Sequence, residues 1–415
     1  MKTTAIIIGG GLSGLTAARQ LQKDGIDFSL LEATDRVGGR VKTDVVDGFR
    51  LDHGFQVLLT AYPEAQRWLN YKKLDLKKFL PGALLLLPDG KQDRIGDPLR
   101  DFSSLLPTLF SSAGSVLDKT KILKLKMRLA KMSIEDIFQQ KESSTRQALA
   151  KDYGFSQQMI ERFFDPFFAG IFLEKKLETS RRMFDFVFKM LGEGDTTVPN
   201  LGMEELPKNL ASTLPSENIT LNARVAKIEG QTVYLKDGSS FSAPHLIVAT
   251  EATGLVKELT SVKTQHQSTT HLHFFTDEAP LEKPIIALNT LPNRITNNIC
   301  VINKVAPAYA PDGQFLISVS VVGKTDLSNA ALEKPVRKEL EIWFGKAVQD
   351  WRALPTRTVH YALPEQKSVQ HNLQSAKNYQ VRKGLYIGGD FLLNGSINAA
   401  MRTGREVAEE VKKNC

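Results

Sequence analysis

Residues 5–8, Ala-Ile-Ile-Ile, are apolar at every position and run straight into glycine. Such a run predicts a strand buried on both faces of a parallel sheet. The pattern then changes to helical spacing, with Leu15, Ala18 and Leu21 on one side, and Gly25 closes the helix. Residues 27–32, DFSLLE, read as the next strand. The far end repeats this layout. Residues 384–390, GLYIGGD, predict a strand and a double-glycine turn. A helix is then predicted to start near residues 396–398, with Ala399, Ala400, Val407, Ala408 and Val411 as its apolar face. Between the ends, residues 118–140 and 156–172 carry apolar positions at helical spacing. Residues 315–323, FLISVSVVG, and 356–364, TRTVHYALP, read as strands.

Composition adds little to this picture: 42% hydrophobic and 24% charged residues are ordinary for a globular protein. The net charge of +8 favours anionic partners. No zinc-finger, helix-turn-helix or RNP-like signature accompanies it, so nucleic acid is not expected. Two cysteines, Cys300 and Cys415, exclude a disulfide framework and a cysteine metal site, and suit a reducing cytoplasm. The first residues lack the apolar length of a signal peptide, and no apolar stretch approaches the ~20 residues of a membrane span.

The first turn carries specific chemistry. Gly9, Gly11 and Gly14 fit G-x-G-x-x-G between a strand and a helix, and Glu32 ends the following strand. Gly9 makes the tight turn, Gly11 lets the backbone approach a pyrophosphate, and Gly14 lets the helix pack on the strand. The helix N-terminus offers free N–H groups and a positive dipole to phosphate, and Glu32 can accept from ribose hydroxyls. Gly9, Gly11, Ser13, Gly14 and Glu32 are thus candidates to hold an adenine dinucleotide; the turn alone leaves NAD and FAD open. A second glycine pair follows, Gly38-Gly39 between Arg36 and Arg40. Two forked cations beside a diphosphate make electrostatic sense.

Together these stretches, GGGLSGL and LLEATDRVGGR, resemble the flavin-containing amine oxidase superfamily, which includes the phytoene desaturases and protoporphyrinogen oxidases. LDHGFQVL is similar to that family's loop beside the flavin, carried by Asp52 and Gly54. NLGMEELPKNLA, ARVAKIEG and HLIVAT follow in the family's order, with one glycine, Gly202, where the family often has two. RFFDPFFAGIF and APAYAPDGQFLISVSVVG are similar to the desaturase-like branch. The resemblance implies FAD, with Glu32 on the ribose, Arg40 near the pyrophosphate and Val225 on the adenine through its backbone. It also implies that Gly389 and Asp390 support the ribityl half, and that the helix N-terminus at Ser396, Asn398 and Ala399 faces the flavin. No cysteine lies beside that turn, so the flavin is expected to be non-covalent.

The fold class expected is therefore α/β, a Rossmann-like FAD-binding domain with an inserted mixed-sheet and helical substrate domain, monoamine-oxidase-like. Residues 1–75, 200–260 and 375–415 would form the first. Residues 76–199, helix-rich, and 261–374, strand-rich, would form the second. The function this implies is hydride transfer from a substrate C–H or C–N unit to flavin N5, with oxygen or a quinone as acceptor. The reading leans to desaturase-like oxidation of an apolar, isoprenoid-type small molecule. Flavin amine oxidation is the alternative; no lysine, Lys283 and Lys304 included, aligns with the one amine oxidases place near N5. A non-redox binding protein on the same scaffold, as in the Rab GDP-dissociation inhibitors, is the alternative of another class. His53 is the candidate for proton transfer. His271 and His273 share one face of a strand without carboxylates or a third ligand, so no metal is expected. Trp343, Trp351 and Cys300 read as packing. Residues 105–131 combine apolar side chains with Lys119, Lys121, Lys124, Lys126, Arg128 and Lys131. They read either as a peripheral contact with anionic lipid or as a solvated helix face over the core.

Overall fold

A computed structural model describes residues 3–250, 254–256, 265–369 and 379–415. The expected domain limits at 260–261 and 374–375 lie outside these residues.

The apolar run Ala5–Ile8 is fully buried at the centre of a six-stranded sheet. Its parallel neighbours are Phe28–Leu31 on one side and His245–Val248 on the other. Leu385–Ile387 pairs in parallel with His245–Val248, with Val248 opposite Ile387. The first and last apolar runs are therefore separated by one strand. Their glycine turns leave the same edge of the sheet. In open parallel sheets, ligands bind at this carboxyl edge.

The opening helix Leu12–Lys23 and the closing helix Ile397–Lys413 pack on one face of this sheet. Leu15, Ala18 and Leu21 of the first share a core with Val407, Ala408 and Val411 of the second. Gly404 permits the crossing: a Cβ there would lie 2.0 Å from the Ser13 carbonyl oxygen. The opening helix begins three residues before Leu15, directly at the glycine turn.

A seven-stranded sheet forms the second layer. Of its long strands, His266–Thr276 lies between Phe315–Val322 and Arg352–Pro364 and is antiparallel to both. Asn298–Val301 and Ala287–Asn289 extend it. It ends in Gly82–Leu86 and Gln92–Gly96, from the block expected to be helix-rich. Leu84 faces Ala287 across the join. Between residues 105 and 193 that block is mainly helical, with Leu105–Phe110, Val116–Lys131, Asp165–Phe172 and Arg181–Glu193. Residues 118–140 are broken by Ser133, whose side chain caps the next helix, Ile134–Gln139. Antiparallel pairing of Leu58–Leu59 and Leu76–Lys78 with Thr196–Pro199 ties the helical block to the first layer.

Candidate active site

The first glycine turn is shaped by contacts that allow no side chain at two of its three positions. A Cβ at Gly9, where φ is +109°, would lie 2.7 Å from the Ala249 carbonyl oxygen. One at Gly14 would lie 1.9 Å from the Gly9 carbonyl oxygen. A Cβ at Gly11 would meet only the Gly39 Cα, at 3.9 Å. Gly11 is also the N-cap of the opening helix, with no side-chain cap and no acid in the first turn. The helix thus presents uncapped N–H groups and its positive end to open space. Glu32 is buried beside it. Its Oε2 accepts from the Gly10 N–H at 2.7 Å, and its Oε1 from the Thr34 N–H at 2.9 Å and the Thr34 hydroxyl at 2.8 Å. Three of roughly four acceptor positions on the carboxylate are engaged.

The last turn is built against the first. A Cβ at Gly388 would lie 2.9 Å from Ser13 Oγ. The Gly389 N–H donates to Thr403 Oγ1 at 3.0 Å, and Ser13 Oγ lies 3.4 Å from that hydroxyl. Arg40 Nη2 donates to Asp390 Oδ1 at 2.5 Å and Nη1 to the Ala362 carbonyl at 3.1 Å. Ser396 Oγ accepts from the Ala399 N–H at 3.0 Å and caps the closing helix.

Both turns line one cavity of about 1350 Å³. That exceeds the ~300–1,000 Å³ of an ordinary small-molecule pocket, so there is room for a long ligand and a second molecule. Gly9, Gly11, Ser13, Glu32, Gly38, Gly39, Arg40, His53, Gly54, Val225, Gly389, Asp390 and Ser396 all line it. Four expected residues do not. Gly14 lies behind Gly9. Arg36 points to Asp44 Oδ1 at 2.5 Å and to Glu204 at 3.6 Å. Asn398 accepts from the Glu64 N–H at 3.0 Å, and Ala399 is in the core. Ile397 and Ala400 line the cavity in their place. Ile397 and Ala400 lie on the opposite side of the helix from Asn398 and Ala399, so the helix turns to the cavity the face not read off the sequence.

A polar cluster stands on the far side of the glycine doublet. His53 Nε2 lies 2.8 Å from Asp44 Oδ2, which also accepts from Arg357 Nη2 at 2.8 Å. Burial alone would raise the Asp44 pKa. The Arg36 and His53 hydrogen bonds outweigh it and hold the group down to about 2. Asp52 turns away from the cavity. It accepts from the Thr43 hydroxyl at 2.5 Å, the Tyr309 hydroxyl at 2.6 Å and the Met203 N–H at 3.0 Å, and burial pushes its pKa up.

His271, which the sequence reading set aside, lines the cavity beneath Gly54. Its Nε2 accepts from the Phe55 N–H at 3.2 Å, and its Nδ1 lies 3.3 Å from Ser320 Oγ. Burial, then the neighbouring His273, lowers its pKa to about 3, so the ring is neutral. His273 is lowered to about 4, chiefly by burial. The Thr-His-Leu-His-Phe alternation placed both rings on one face; only the pairing of that strand shows that the face meets the cavity.

Beyond His271 the lining becomes apolar, with Phe163, Phe167, Ile171, Phe188 and Leu191 from the helical block. The lining carboxylates among the described residues are Glu32, Asp97 and Asp390. Asp97 pairs with Lys126, and Asp390 with Arg40. Neither Lys283 nor Lys304 reaches the cavity, and Lys304 pairs with Glu282 at 2.7 Å. Cys300 is buried and Cys415 exposed, both away from it. Among the described residues no cluster of three or more His, Cys, Asp or Glu could hold a metal. No described helix is long and apolar enough to cross a membrane.

An uncapped helix end beside a bare glycine, a buried carboxylate and a second glycine turn on the same cavity suit a nucleotide with a diphosphate. Comparison with known proteins agrees. Residues 12–412 match the family described as flavin containing amine oxidoreductase. The chain is 25% identical to protoporphyrinogen oxidase 2 of Arabidopsis thaliana over 175 residues, 40% of this chain and 31% of that protein. It is 37% identical to carotenoid 3,4-desaturase of Haloarcula japonica over 99 residues, 22% of this chain and 20% of that protein. The chain thus spans less than a third of the length of these relatives. A putrescine oxidase double mutant superposes over 100% of this chain and 99% of its own, with a TM-score of 0.72 at 16% identity.

Proposed function

This chain belongs to the flavin-containing amine oxidoreductase family, oxidoreductases that use FAD, and from that premise we propose that it is a desaturase-like enzyme acting on an apolar, isoprenoid-type substrate. The observation that carries the substrate class is the lining of the cavity. Its inner arm is phenylalanine, isoleucine and leucine; of the lining carboxylates among the described residues, Asp97 and Asp390 are paired with cations, and Glu32 lies away from this arm, bonded to the first glycine turn. An ammonium group buried there would find no counter-charge, which is costly. An unsaturable hydrocarbon needs none. Amine oxidation is the second reading, favoured by the family's description.

In this reading Gly9, Gly11, Ser13 and the opening helix hold the diphosphate of non-covalent FAD, Glu32 the ribose and Val225 the adenine. Gly14 acts from behind the turn, by letting the helix approach. Arg40, Gly389, Asp390 and the capped end of the closing helix at Ser396 support the other half, with Gly38, Gly39 and Gly54 leaving space for it. Bound there, FAD supplies the acceptor for a hydride from a substrate C–H or C–N unit, and oxygen or a quinone receives the electrons. His53 is the proton carrier: Asp44 accepts at its Nε2, which leaves Nδ1 to take a proton. His271 is engaged at both ring nitrogens and holds the Phe55 backbone in place. Residues 1–75, 200–260 and 375–415 form the cofactor domain, and the two blocks between them the substrate domain. Contact with lipid through 105–131 belongs to the same proposal.

The test is colour and bleaching. The purified protein is expected to be yellow and to bleach anaerobically with isoprenoid hydrocarbons, but not with amines or porphyrinogens. Bleaching by amines alone would replace the substrate reading. Colourless protein that takes up no FAD would favour a non-redox binding role.

A further inference from the structure

A polar side chain stands within the apolar arm of the cavity. Asn298 lines it beside Phe167, Gly170, Ile171 and Leu288. Strand register explains the placement. His271 lies opposite Ser320, Ser320 opposite Asn298, and Asn298 opposite Leu288. Residues directly opposite one another share a face of the sheet, so these four form one row, polar as far as Asn298 and apolar beyond it. His271, Asn298 and Leu288 of that row line the cavity.

An asparagine amide has two N–H donors and an oxygen with two acceptor positions. Asn298 Nδ2 donates to Ser320 Oγ at 3.1 Å, and Oδ1 accepts from Asn297 Nδ2 at 3.2 Å. Among the described residues no other group bonds to this amide, so one N–H and one acceptor position remain. Asn298 is 2% exposed, and burying a polar group with unused hydrogen-bonding capacity is costly. The helix Asp165–Phe172 leaves the amide open. It places Gly170 there, where a Cβ would lie 3.3 Å from Asn298 Oδ1 and 2.9 Å from Asn297 Nδ2. Glycine inside a helix is unfavourable without such a reason.

The group that fits is neutral. Arg294, behind Asn297, is paired with Asp165 at 2.7 Å, and the His271 ring is uncharged. A donor and an acceptor on one amide complement a hydroxyl, which accepts and donates at a single atom. Neighbouring strands lie ~4.8 Å apart, so Asn298, two strands away, is ~10 Å from His271. A hydroxyl held there anchors a substrate well away from Gly54, where space for the cofactor is proposed. We propose that Asn298 is a specificity-determining residue: it binds a hydroxyl on an otherwise apolar isoprenoid substrate and so fixes which C–H unit reaches the reacting end of the cavity. This deepens the apolar-substrate reading and rests on it.

The probes are phytol and phytene, an isoprenoid alcohol and the hydrocarbon of the same skeleton, dispersed in detergent. Binding to the FAD-loaded full chain is read from the rise in melting temperature on titration, and products by mass spectrometry. Phytol is expected to bind at least tenfold more tightly than phytene and to be oxidised away from its hydroxyl, with the alcohol intact. Asn298→Leu, close in shape, should bind the two compounds alike. Gly170→Ala, which crowds the amide from the facing helix, should weaken phytol binding more than phytene binding, and it decides the matter if the leucine variant does not fold. Equal affinity of the unaltered chain for both compounds overturns the inference and leaves the apolar-substrate reading standing. So does a preference for phytol that survives in the variants, or an aldehyde product. Binding of neither compound, with bleaching by amines, overturns both.

Discussion

At Gly404 a single methyl group decides whether two helices can cross. A Cβ there would lie 2.0 Å from the Ser13 carbonyl oxygen, and backbone cannot swing aside as a side chain can. Gly404→Ala is expected to cost at least the ~1–3 kcal/mol of an overpacked core. It should also weaken FAD retention, since Ser13 lines the cavity. Urea unfolding with and without FAD checks both; unchanged midpoints would show that the helices can separate freely. Two other residues set an acid limit. His271 and His273 have folded pKa values of about 3 and about 4, against ~6.5 in the unfolded chain. Both are depressed, so the unfolded chain binds more protons below pH ~6.5. Stability is therefore complete above that pH and falls as pH drops toward 4, by up to ~1.4 kcal/mol per pH unit for each ring. The His271→Gln variant should show a shallower loss between pH 6 and 4 in denaturant titrations, and an unaltered slope would refute the assignment. The imidazoles were visible in the sequence, but their burial depends on strands that pair from far along the chain.

At the level of elements, the closing helix anchors the last glycine turn through one hydroxyl. Thr403 Oγ1 accepts from the Gly389 N–H at 3.0 Å and donates to the Ala400 carbonyl at 3.0 Å. Thr403→Val keeps the shape and removes the acceptor. A buried N–H left unpaired costs ~1–3 kcal/mol, so the melting temperature should fall and FAD should dissociate faster. Thr403→Ser should restore both, and a valine variant indistinguishable from the parent would deny the helix this anchoring role. Helical period was enough to predict this helix and its buried face, because every third or fourth residue reports on the same side. It was not enough to say which residues meet the cavity. Asn398 and Ala399 were expected there and Ile397 and Ala400 are found, since rotation about the helix axis is set by packing against the opening helix and Glu64.

For the whole molecule, the decisive feature is that residue 40 pairs with residue 390 across one cavity. FAD that bridges both turns should stabilise the protein by about 2.7 kcal/mol at a hundredfold excess over Kd. More specifically, hydrogen exchange should slow in residues 5–40 and 385–400 together when FAD is added to stripped protein. Protection confined to the first segment would mean that the last turn does not share the ligand. The strand pair at 82–96 belongs to this scale as well. Its apolar GALLLL stretch has no period that distinguishes strand from buried helix; pairing with Gln92–Gly96 and with the distant Ala287–Asn289 makes it a strand.

The sequence by itself determined the glycine turns, the strands and helices beside them, and the family. These follow from φ, period and burial over a few neighbouring residues, which any short window contains. The tertiary structure decided which side chains share the cavity, that Arg36 faces Asp44, and that His271 lies under Gly54. Each of those depends on strand order and helix rotation, which are set by contacts between segments far apart in the chain.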